Sequence, residues 1–197
     1  MHAAVVTGVL PLATAVVAAV VLRQRPSWGF WAFALLGTAL VLAFAAWSGS
    51  GRLSLADGYL LLAMLSAAVG YVGGARVAAV LPAQQVICWV LVGSLPFTAP
   101  AAWASWPTQP ASAAAWLGFT YAAVFSMWLG FFAWYHGLAL GGVVRVSQVQ
   151  LMQPFLALLA AAPILGEKLE PATLGFALAV MAVVFVGRKM PVGQATR

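Results

Sequence analysis

The sequence predicts an all-α, polytopic membrane helix bundle of about seven transmembrane helices, and three observations carry that expectation. The first is composition. Of 197 residues, 64% are hydrophobic and only 6% charged, against about 45–50% apolar and about 25% charged in a soluble domain. A chain with so little polar surface has lipid as its natural solvent. The second is that the apolar residues fall in long continuous runs without period-two alternation, which selects helices over a barrel as the spanning form. The third is charge placement. If the chain crosses the bilayer at each run, Arg23, Arg25, Arg76, Arg145, Arg188, Lys189 and Arg197 fall on one side, and Arg52 and Lys168 on the other. That bias is the positive-inside pattern of a multispanning protein.

The runs, taken in order, are 3–22, 28–47, 58–79, 84–103, 113–136, 143–165 and 171–188. Each is close to the roughly 17–25 residues that a hydrocarbon core of about 30 Å requires. No basic segment precedes the first run, so it reads as a span and not as a signal peptide. Arg23–Ser27 separates the first two runs. The Gly/Ser-rich stretch Ser48–Asp57 follows the second, Ser105–Ser112 with Pro107 and Pro110 follows the fourth, and Gly166–Glu170 precedes the last. No connection is long or polar enough to form a soluble domain. With an odd number of crossings, the basic side being cytoplasmic, the N-terminus is expected outside and the C-terminus inside. Trp28, Trp31, Trp47, Trp103, Trp106, Trp116 and Trp134 cluster at run ends, as an interfacial aromatic belt requires. Glycines and alanines recur inside the runs and suit close helix packing.

Other classes are disfavoured by the same residues. The net charge is +6, but there is no basic run with interleaved aromatics, so no nucleic-acid partner is expected. Cys88 is the single cysteine. No internal disulfide can form, no Cys/His metal spacing exists, and neither a metal nor a cofactor is expected. Asp57, Glu167 and Glu170 all lie at run edges. There is no paired aspartate, no Ser/His pair at depth and no H-E-x-x-H, so an intramembrane enzyme has no candidate machinery. The last run also lacks the lysine that a retinal protein needs.

The chain carries an internal echo. At an offset of 143, Pro11 meets Pro154, Val6 meets Val149, Leu22 meets Leu165, Phe33–Ala34–Leu35 meets Phe176–Ala177–Leu178, and Val41 meets Val184. Five crossings separate the two copies, so they would face oppositely. Inverted repeats of this kind build many secondary transporters, with the solute site at the repeat interface.

Several stretches resemble one known family. Gln150–Leu151–Met152–Gln153–Pro154, then an Ala/Leu run, then Leu165–Gly166–Glu167–Lys168 and a final helix is similar to the end of an EamA-type repeat of the drug/metabolite transporter superfamily. Phe119 to Ser126 and Trp134 to Leu138 look like the third helix of such a repeat. The resemblance implies ten helices in two inverted five-helix repeats. Residues 58–188 would be one complete repeat, residues 1–47 the last two helices of the preceding one, and residues 189–197 a cytoplasmic tail. The first three helices of the usual ten would be absent. Arg23–Gln24 stands where the first repeat typically has a Gly-Glu turn.

The function expected is that of a permease in the cytoplasmic membrane, moving a small metabolite or drug-like solute by alternating access. Transport needs polar groups at membrane depth and helices that bend. Ser147, Gln150 and Pro154, at i, i+3 and i+7, are expected on one helix face, with Gln153 beside it. Tyr71, Tyr121, Ser126 and Trp128 are candidates to line the same cavity, where aromatics can stack on a solute or meet an amine by cation–π contact. Pro11 and Pro154 are expected to kink their helices at matching places, with Thr7 and Thr14 bonding the carbonyls so freed. The expected partners are a small solute and the bilayer. The alternative is a truncated membrane protein with a structural role only, inactive in transport unless it forms a homo-oligomer.

Overall fold

A computed structural model describes residues 2–48, 55–108, 110–165 and 171–194. Arg52, Glu167, Lys168, Glu170 and Arg197 lie outside the described residues, as do the side chains of Thr7 and Asp57. The elements follow the apolar runs. Helix α1 spans His2–Val21, α2 Trp28–Ser48, α3 Leu55–Val77 and α4 Ala83–Ala104. The fifth run is one continuous helical rod in three parts: α5 (Ala113–Tyr121), a π-helical stretch (Ala122–Leu129) and α6 (Gly130–Gly141). The sixth run is also in three parts: α7 (Val143–Ser147), a 3₁₀ stretch (Gln148–Met152) and α8 (Gln153–Leu165). Helix α9 spans Pro171–Gly187. Two short strands, β1 (Gln24–Pro26) and β2 (Val192–Gln194), pair antiparallel with Arg25 opposite Gly193.

Five of these helical stretches are long and apolar enough to cross a membrane: Trp28–Trp47, Gly58–Val77, Ala83–Ala104, Ala113–Gly141 and Val143–Ala160. Helices α1 and α9, at 20 and 17 residues, supply two further apolar rods. The chain is thus an all-α, multi-pass membrane bundle. Trp28, Trp47, Trp103 and Trp106 sit exposed at or just past helix ends, where an indole bridges hydrocarbon and headgroups. In α4, which contains Pro96 and Pro100, the hydroxyls of Ser94 and Thr98 donate back to Leu91 O and Ser94 O at 2.8 and 3.1 Å. No water is present at that depth, so an exposed hydroxyl finds its acceptor on its own helix.

The chain forms two compact units, one of Met1–Val72 with Gly141–Arg197 and one of Gly73–Leu140. In the first, α1 packs on α2 and α7, while α2 packs on α9. Its core is Val41, Leu151, Phe155, Ala177, Val180 and Val184, flanked by Leu40, Phe44, Met152, Phe176 and Met181. Phe44 meets Phe155 and Phe176 with ring centroids 5.2 and 5.4 Å apart. Glycines permit the close crossings. A Cβ on Gly37 would come within 2.7 Å of Leu151, and one on Gly187 within 2.9 Å of Phe33. Packing of this kind, and not water exclusion, holds membrane helices together.

In the second unit, the Tyr135 ring occupies the space that a side chain at Gly74 would need. Val86 and Ile87 are buried at the start of α4. Most of α4 and α5 is exposed apolar surface suited to lipid.

Between α6 and α7 the chain turns at Gly142, whose φ of +79° is a left-handed conformation that glycine alone adopts without strain. The run-based boundary at 136 therefore falls short. The helix continues for five more residues, to Gly141, because Gly137–Leu138–Ala139–Leu140 is still apolar and the first residue that can end it is Gly142.

Candidate functional site

The polar residues of the first unit gather where the sixth run loses its regular helix. Proline is the cause. Pro154 has no N–H, and its ring crowds the carbonyl four residues back, at Gln150. Gln153, the residue before it, nevertheless keeps α geometry, with φ −55° and ψ −48°. The chain answers with a 3₁₀ stretch over Gln148–Met152 and restarts as α8 at Gln153. Pro154 thus occupies the first turn of a new helix. Pro11, its counterpart in the echo, stays inside an unbroken α1. The two prolines are not equivalent bends.

Within this region Ser147 is fully buried and Gln148 is 3% exposed. The Gln148 Nε2 donates to Pro11 O at 3.2 Å, and the Ser147 Oγ donates to Val144 O at 3.1 Å and to Pro11 O at 3.5 Å. Gln150 turns to a different neighbour and donates its side-chain N–H to the Tyr71 hydroxyl of α3. The Oε1 atoms of Gln148 and Gln150, and the Oγ1 of Thr38 on α2, are buried with no partner among the described residues. Gln153 is exposed and Pro154 half-buried. Ser147, Gln150 and Pro154, expected on one α-helical face with Gln153 beside it, are linked through a 3₁₀ stretch that alters their phase. A 3₁₀ stretch advances about 120° per residue against about 100° in an α-helix. Over five residues the slip is about 100°, a little more than a quarter turn, which redirects every side chain beyond it.

Thr14 is buried and donates to Leu10 O at 2.8 Å. The carbonyl deprived by the Pro11 ring is that of residue 7, so the hydroxyl reinforces an intact turn and does not repair the proline defect.

Tyr71 belongs to the unit that holds Ser147 and Gln150. Tyr121, Ser126 and Trp128 belong to the other. Tyr121 and Trp128 are 66% and 40% exposed, and each is braced by its own helix. Tyr121 stacks on Phe125 at 5.3 Å, and Trp128 meets Phe132 edge-on at 5.6 Å. Ser126 and Trp128 lie in the π-helical stretch. Gln148 is the residue that the run pattern passes over. The available signal was three glutamines, at 148, 150 and 153, within one apolar run.

Among the described residues no three His, Cys, Asp or Glu side chains come together as a metal site would need. The arrangement offers hydrogen-bonding groups at membrane depth beside an interrupted helix.

The comparisons with known proteins point the same way. Residues 54–188 match the family model described as EamA-like transporter family. The chain is 40% identical over 190 residues to "Uncharacterized transporter YdeK" of Bacillus subtilis (strain 168), an alignment covering 95% of this chain and 66% of that relative. The chain thus spans a little under two thirds of the length of the curated relative it matches. No solved structure matches it. On the family match and the identity together, the chain belongs to the EamA-like transporter family.

Proposed function

We propose that the chain serves as a permease in the cytoplasmic membrane of a bacterium, moving a small metabolite or drug-like solute by alternating access. The observation that carries this reading is the interrupted sixth span. Buried Ser147 precedes a 3₁₀ break just ahead of Pro154, and buried Gln148 and half-buried Gln150 lie within it. Irregular backbone at membrane depth persists where it is buried in protein or lines a cavity, and broken helices commonly form transporter solute sites. The packing of α1 on α7 and of α2 on α9 supports an inverted-repeat organisation, since it joins the two segments that echo each other. Within the first unit Ser147, Gln150 and Tyr71, with Gln153 beside them, are the candidate solute contacts; within the second, Tyr121, Ser126 and Trp128 are the candidates. Pro11 and Pro154 set where the helices bend. The basic ends face the cytoplasm.

The test is a solute screen with the purified protein in liposomes. Replacing Gln150 with Leu is expected to lower flux at least several-fold while the protein still inserts. Unchanged uptake kinetics would remove Gln150 from the path. If no solute moves with the wild type, a purely structural role, or activity only as a homo-oligomer, replaces the permease reading.

A further inference from the structure

Five cations from three distant stretches of sequence meet at one end of the first unit. Arg23 and Arg25 come from the turn between α1 and α2, Arg145 from α7, and Arg188 and Lys189 from just beyond α9. The β1–β2 pair sets Arg25 opposite Gly193, and the Ser27 N–H donates to Pro191 O at 3.0 Å. Arg145 reaches the same tail, its Nη2 donating to Met190 O at 3.2 Å, while its Nε is buried with no partner among the described residues. Arg188 and Lys189 both lie over the Phe185 ring, 4.5 and 4.6 Å from its centroid.

Like charges held this close need a counter-charge, and the sequence places none near them. In sequence, the three acids of the chain stand beyond the opposite ends of α2 and α9. Glu167 and Glu170 precede Pro171, the first residue of α9, whereas Arg188 follows its last, Gly187. A helix of 17 residues separates them, about 26 Å at 1.5 Å per residue and well beyond the roughly 8 Å screening length at physiological salt. The 21 residues of α2 lie between Arg25 and Asp57. The flank below the cations is apolar and open: Phe185 is 51% and Val186 40% exposed. A ligand suited to both features carries a phosphate above and hydrocarbon below.

We propose that this end of the first unit binds the phosphate headgroup of an anionic phospholipid, its acyl chain lying along Phe185 and Val186. Guanidinium groups match phosphate oxygens in paired hydrogen bonds, and Lys189 adds a point charge. The bound lipid would clamp the β2 tail to the α1–α2 turn. The site is independent of the transport reading.

The test uses the full chain in nanodiscs of phosphatidylcholine, with or without phosphatidylglycerol. Lipid retained on the protein is counted by native mass spectrometry. The wild type is expected to retain phosphatidylglycerol preferentially. Each cation neutralised in the series Arg25→Gln, Arg188→Gln and Lys189→Gln is expected to reduce that preference about five-fold. Arg25→Lys with Arg188→Lys should keep most of it. Should the glutamine variants fail to fold, raising salt from about 0.1 to about 1 M on the wild type should erase the preference, as the screening length falls from about 10 to about 3 Å. No preference in the wild type, or a preference indifferent to both charge and salt, overturns the proposal. So does inorganic phosphate competing as well as the lipid, since the ligand would then be a soluble anion.

Discussion

Gly74 and Gln148 illustrate how much a single position can decide inside a lipid-facing bundle. At Gly74 the Tyr135 ring fills the volume where a side chain would stand. Gly74→Val should destabilise the second unit by about 1–3 kcal/mol, the usual cost of overpacking. Tyr135→Ala in the same chain should recover part of that loss, and thermal unfolding of the single and double variants in detergent measures the coupling. Additive losses would mean that the ring moves aside freely. At Gln148 the two halves of the carboxamide fare differently, one bonded to Pro11 O and the other without a partner. Gln148→Leu removes both the gain and the defect. Its effect on stability should stay within about 1 kcal/mol, in line with the modest worth of most interhelical hydrogen bonds in membranes. A loss several times larger would show that this contact holds α1 in place.

Among the elements, span positions were legible and helix type was not. The expected ranges 28–47, 84–103 and 143–165 agree closely with Trp28–Ser48, Ala83–Ala104 and Val143–Leu165. Continuous apolar runs bounded by charge, Gly and Pro leave little freedom over where a helix starts and stops. The π-helical stretch at Ala122–Leu129 has no such signature, because hydrogen bonding to the third, fourth or fifth residue is chosen by neighbours. Nor did the strand pair announce itself. Gln24–Pro26 and Val192–Gln194 are three residues each and pair across most of the chain's length, too short and too distant to be read from local pattern. The same limit governs the candidate site. A glutamine in an apolar run marks Gln150 as notable, but its Tyr71 partner depends on a helix phase that the 3₁₀ stretch resets. Pro154→Ala tests that stretch directly. Restoring the N–H should let α7 and α8 merge into one α-helix, seen as a rise in helical circular dichroism, and flux through the reconstituted protein should drop several-fold. Undiminished flux would show that the break is incidental to transport.

For the molecule as a whole, composition and charge asymmetry made the membrane class readable, since 6% charged residues admit few alternatives. Division into units was not readable. The boundary at Val72–Gly73 falls within the unbroken α3, where no loop marks it. Orientation rests on the Lys/Arg count. A phosphatase reporter fused at the C-terminus is expected to be inactive and a fluorescent cytosolic reporter bright; the reverse outcome would invert the proposed topology.

The pairing of β1 with β2 sets a timetable for biogenesis. Residues 24–26 leave the ribosome first, but their partner strand is 192–194. At roughly 5–20 residues per second, some 10–30 s of translation separates the two. For most of that interval α1 and α2 must reside in the bilayer without α7 or α9, the neighbours they will eventually hold. Helices α1 and α2 are made before α7 and α9, so a ribosome that stalls between them leaves the first pair without those neighbours.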